Sequence, residues 1–205
     1  MNIPVLTILI LIFVLWLQYE LRKGSKKSES GKDEFWDKEK EANLTRRKDI
    51  SGLDYLTISA SSLPMGDHED DTLNSYRDTF RKMDGKKALN LSGKTNTELK
   101  LEYGAANLNQ LMEYDNNFIS FVGMLHKWAD RLYTKGYLEE AKEVLEYGVA
   151  CLTDVPKSYR LLADIYYSSN SISQIDHLIE TIANTKITDK EKLINELSAI
   201  KNHSK

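Results

Sequence analysis

Two stretches in the C-terminal half of this chain align without a gap when shifted by 34 residues, and no other feature restricts the fold as much. Leu125, Trp128, Ala129 and Leu132 mark one helix by their three-and-four spacing, Gly136 a turn, and Ala141, Leu145 and Gly148 a second helix. At the same offsets one repeat later stand Tyr159, Leu162, Ala163 and Tyr166, then Asn170, then Ile175, Ile179 and Ile182. Gly and Asn best tolerate a left-handed backbone at a helix end, so the turn repeats in chemistry as well as in place. Small Ala129 and Ala163 permit close approach of paired helices, and the larger residues fill the groove between them. The expected fold class is all-α.

This unit, and above all the stretch KGYLEEAKEVLE from Lys135 to Glu146, resembles the tetratricopeptide repeat, whose helix-turn-helix has that period. The resemblance covers residues 122–189 as two repeats. The second copy departs from the pattern at Ile175, where a small residue is usual, and Thr153 replaces the family's closing Pro. Pro156 opens the next helix at a position where Pro is well tolerated. Residues 190–205 read as a capping helix and tail, with Leu193, Ile194, Leu197 and Ile200 on one side. One end of such a stack stays open, and the apolar residues between Leu73 and Asn117 are expected to cover it. The resemblance further implies a concave face built from the first helices and suited to a peptide or protein partner. Lys127, Arg131, Tyr159 and Arg160 are its expected partner-binding residues.

The N-terminus carries a second message. Residues 3–17 are apolar apart from Thr7, and Arg22, Lys23, Lys26, Lys27 and Lys32 follow. No basic residue precedes the run and no small-residue cleavage motif ends it, so a signal peptide fits poorly. The expectation is a transmembrane helix within an anchor at 1–21, contacting the membrane through residues 3–21. The basic flank then places the rest of the chain in the cytoplasm. Residues 22–33, rich in Gly, Ser and Lys, read as a flexible linker. Residues 34–121 read as an irregular, mainly helical layer, with Phe35 and Trp36 docked on it. The stretches FWDKEKEAN and NTELKLEYGAANL are similar to those of small single-span bacterial membrane proteins, a likeness that implies no activity.

Charge narrows the partner classes. A net charge of -3 with 29% charged residues describes neither a polybasic nucleic-acid binder nor an acidic disordered tail. The single cysteine, Cys151, rules out an intramolecular disulfide framework, and its apolar neighbours suggest a small core residue.

Two motifs invite enzymatic readings. His68-Glu69-Asp70-Asp71 groups an imidazole with three carboxylates, but adjacent side chains diverge on a helix, and His126, His177 and His203 add no second ligand cluster. A helix N-terminus ahead of Leu73, Tyr76, Phe80 and Met83 explains the run more simply. ALNLSGKT, Ala88 to Thr95, satisfies a relaxed phosphate-binding-loop pattern. The charged residues before it make a poor buried strand; Gly93 reads as a helix terminator, and Asn96 or Thr97 as the cap of a short helix closed by Gly104. No catalytic residue, cofactor, metal, nucleic acid or small-molecule substrate is expected. The expected function is a membrane-anchored cytoplasmic interaction scaffold for a protein or peptide. Self-association as a structural membrane protein is the alternative, with a nucleotide-binding enzyme using 88–95 behind it.

Overall fold

The computed structural model describes residues 3–202, and the side chains of residues 7–20 and 33–202. The chain is all-α apart from a two-residue strand pair, β1 (Leu56–Thr57) antiparallel to β2 (Lys87–Ala88), in which Leu56 opposes Ala88. It divides into two compact units, residues 1–50 with 95–108, and residues 51–94 with 109–205.

The first unit pairs α1 (Ile3–Leu44) with α3 (Asn96–Tyr103). α1 runs unbroken through residues 22–33, where composition suggests a flexible linker. The segment has no Pro, and its Lys, Arg and Glu are good helix formers that offset the cost of Gly24 and Gly31. Thr95, rather than Asn96 or Thr97, caps α3 in a reciprocal box with Glu98. Glu39 accepts from the Thr97 hydroxyl at 2.7 Å and from Lys100, whose ammonium also reaches Asn43 at 2.8 Å. Asn107 is fully buried, and its amide donates to the carbonyls of Lys48 and Tyr103 while its oxygen accepts from Arg47 Nε. Phe35 and Trp36 are exposed and pack edge to face on each other. They are therefore not docked on the layer as the sequence suggests.

Among the described residues no helix is long and apolar enough to cross a membrane. The transmembrane anchor, the membrane contact through residues 3–21, the single-pass membrane placement and the cytoplasmic orientation derived from it are corrected accordingly. Within α1 the apolar run gives way to Gln18 and Glu20, and the helix continues with charged residues to Leu44. The side chains of the basic flank, Arg22 to Lys32, lie outside the described residues.

The second unit contains the repeat. α4 (Leu108–Thr134), of which all but the first residue belongs here, turns into α5 (Leu138–Ala150); α6 (Pro156–Ser168) turns into α7 (Ile172–Ile182); α8 (Lys190–Asn202) follows. α5 and α7 start 34 residues apart. Trp128, Ala129, Leu132, Ala141, Tyr159, Ala163 and Ile175 are all completely buried, so the repeated positions form the core. A side chain at Gly148 would touch Leu125 at 3.5 Å, which marks the close approach of α4 and α5. α8 packs on α6 and α7 through Leu193 and Leu197.

Residues 51–94 cover α4. The helix α2 (Asp71–Met83) buries Leu73, Phe80 and Met83 on one stripe, and Phe80 stacks on Trp128 with ring centres 5.2 Å apart. His68 Nε2 lies 2.9 Å from Glu140 Oε2, and the backbone N-H of Ser59 donates to the Tyr147 hydroxyl at 3.0 Å.

Candidate functional site

The first helices of the two hairpins, α4 and α6, border a shallow cavity of about 320 Å³ lined by His126, Asp130, Lys157, Arg160, Leu161 and Asp164. His126 and Asp130 are four residues apart on α4, and Lys157, Arg160, Leu161 and Asp164 fall on one face of α6. The repeat relates these residues. Arg160 follows His126 by 34 residues, and Asp164 follows Asp130 by the same interval.

Burial sets the electrostatics of this groove. His126 Nδ1 is buried with no hydrogen-bond partner among the described residues, and desolvation lowers its proton affinity against the smaller opposing pull of Asp130. Burial raises the Asp164 carboxyl above its ordinary range. Arg160 Nε donates to Glu196 of α8 at 2.6 Å. The groove therefore alternates anionic, cationic and imidazole groups.

The four sequence-expected partner residues do not converge. Only Arg160 lines this groove. Lys127 borders a separate cavity of about 520 Å³ with Tyr76, Ile119 and Met124. Arg131 donates to Asp70 at 2.6 Å and ties α4 to the start of α2. Tyr159 is fully buried, and its hydroxyl donates to the Thr153 carbonyl at 2.9 Å; burial drives its ionisation well above the tyrosine range. From sequence, His126 stands out only as a candidate metal ligand, and Asp130 and Asp164 do not stand out, although the 34-residue offset that exposed the core also pairs His126 with Arg160 and Asp130 with Asp164.

The two enzymatic motifs are absorbed into structure. Asp70 caps α2, accepting from the N-H groups of Thr72 and Leu73, while its other oxygen meets Arg131 and Lys135. Arg131's hydrogen bond, helped by Lys135 and the capped amide, holds that carboxyl well below the usual carboxylate range against the desolvation that opposes it. Among the described residues no group of three His, Cys, Asp or Glu side chains is placed to hold a metal ion; His203 lies outside them. In Ala88 to Thr95, β2 is antiparallel and two residues long, and the α3 N-terminus is capped by Thr95 and Glu98. Gly93 occupies a turn at φ +87° closed by the Lys94 N-H to the Leu91 carbonyl, rather than the end of a helix. The backbone N-H groups of Thr95 and Glu98 donate within the α3 capping box. Cys151 is partly buried with its thiol pushed up to about 11 by desolvation, which keeps it protonated and unreactive at neutral pH.

No family model, curated protein or solved structure matches this chain. The groove's described lining combines cationic, anionic and imidazole side chains with one apolar residue, Leu161.

Proposed function

We propose that the second unit is a tetratricopeptide-like interaction module, and that the groove between α4 and α6 holds a short segment of a partner protein. One observation carries this reading: repeat-equivalent positions, His126 with Arg160 and Asp130 with Asp164, line a single groove on the first helices. A periodic array of polar groups matches the regular spacing of an extended peptide's backbone and side chains. The mixed charge favours a partner segment that itself carries both signs.

A photo-crosslinking amino acid placed at Lys157, with Glu143 on α5 as the comparison site, tests the reading in the full chain. One partner should crosslink from position 157 and not from 143, and Asp130→Lys with Asp164→Lys should abolish that product. Equal products from both positions, or a product insensitive to the groove variants, would overturn it.

Ile8 to Leu17 of α1 are exposed, and this apolar run favours self-association as the second reading. Sedimentation equilibrium decides it: the chain would be oligomeric, and Leu11→Lys with Leu15→Lys would return it to a monomer.

A further inference from the structure

At the N-terminal end of α6 lies a cavity of about 520 Å³ walled by three separate parts of the second unit: the turn at Ser92 and Gly93, the start of α6, and the segment from Lys186 into α8. Four cations border it, Lys157 and Arg160 from α6, Lys186 from the connection before α8, and Lys192 from α8. Arg160 is matched by Glu196 at 2.6 Å. None of the three lysines makes an ion pair among the described residues. Lys186 donates only to the neutral carbonyl of Asn90, so its charge is uncompensated there.

The lining carboxylates are Asp154, which accepts the neutral Ser92 hydroxyl at 2.6 Å, and Asp189, and together they offset two of the three lysine charges. The start of α6 adds to the positive field. Its N-cap is Val155, which offers no side-chain acceptor, and Pro156 occupies the first turn, so the cap itself leaves the helix dipole in place, with Asp154 the adjacent anion. Three lysines drawn from two helices and a loop border one cavity and outnumber its two carboxylates, and a multiply charged anion could engage all three at once.

We infer that this cavity binds a small polyanion with clustered oxyanion groups, either a polyphosphate or a polycarboxylate. The inference is independent of the peptide groove, although Lys157 and Arg160 border both cavities. A guest here would leave those two side chains less able to serve a partner in the groove, so the two occupancies would compete.

Calorimetric titration of the full chain with inorganic pyrophosphate in one arm and citrate in the other tests the inference and separates the two sources. One arm or both should show one-to-one binding that weakens with added salt. Replacing Lys157→Glu and Lys192→Glu together should weaken binding roughly tenfold or more. Both residues are exposed, so the fold is not at risk, and an unchanged circular dichroism melt will show it. Lys157→Arg should retain binding, and Lys82→Glu, exposed on α2, should leave it unchanged. Absence of binding in both arms would overturn the inference, as would equal affinity in the double variant or equal weakening by Lys82→Glu. The crosslinking test of the groove reads a different event, so either idea can fail alone.

Discussion

Gly136 and Asn170 stand one repeat apart and both turn the chain with a left-handed backbone, at φ +86° and +57°. Each hands its hairpin from first helix to second. A Cβ at Gly136 would meet nothing within 4 Å, so a substitution there meets only the backbone preference. Gly136→Ala should therefore destabilise the protein by roughly 1–2 kcal/mol. Asn170→Gly should be neutral or stabilising by up to about 1 kcal/mol, since Asn already tolerates this region. Urea denaturation of both variants measures the contrast, and equal losses would contradict the shared role.

Asp70 does two jobs from two oxygens, capping α2 with one and binding Arg131 and Lys135 with the other. Asn caps nearly as well as Asp but carries no charge, so the pair of variants separates the jobs. Asp70→Ala should lower the thermal midpoint by roughly 2–4 °C more than Asp70→Asn does. The sign of the pH dependence follows from the depressed carboxyl. Its contribution is complete above the ordinary Asp value of 3.8 and is lost as pH falls below that value towards the folded one. Melts of wild type and Asp70→Asn should therefore converge in acid, and a constant gap would remove the charge argument.

Gly104 closes α3 at φ +92°, where its Cα faces the backbone of Arg46 and Arg47. An added Cβ would sit 2.7 Å from Arg47 Cα and 2.8 Å from the Arg46 carbonyl carbon, and backbone atoms cannot swing aside as a side-chain tip can. Gly104→Ala should cost the first unit roughly 3 kcal/mol or more, from strain and clash together. Hydrogen exchange locates the effect. Protection should fall at the Lys48 and Ala105 amides, which bond to Tyr103 and Thr45, while core amides of the second unit such as those of Leu162 and Ala163 keep theirs.

The repeat was legible because burial and periodicity act on the same residues: Trp128, Ala129, Tyr159 and Ala163 show in the sequence what the core requires. The groove was not. His126, Asp130 and Asp164 carry no apolar pattern, and their meaning appears only when α4 and α6 lie side by side. The N-terminal run misled because hydropathy reads residues and not the helix they extend; α1 continues through a charged stretch to Leu44. Tyr159 and Arg131 illustrate a further limit. A side chain on a first helix can turn inward or pair with a distant element such as Asp70, and helical spacing alone does not distinguish these fates from exposure on the concave face.

His126 supplies the most direct probe of the groove. Its Nδ1 is buried without a partner among the described residues, and burial lowers its proton affinity below the ordinary value of 6.5. The unfolded chain then takes up the proton first as pH falls, so stability is complete above 6.5 and declines below it until the folded value is passed. Asp164 acts in the opposite sense: its raised carboxyl favours the folded state as acid is added, with the gain complete only below the ordinary value of 3.8. Denaturant unfolding at about pH 7.5 and about pH 5.5 spans the imidazole's ordinary titration range. Wild type should lose stability between these two values, and His126→Phe, which keeps a flat ring without a titrating nitrogen, should lose less. Equal losses would mean that His126 does not govern the pH response. A partner that hydrogen-bonds the protonated ring would raise its affinity for the proton, so binding in the groove should be tighter at the lower pH and lose that dependence in His126→Phe.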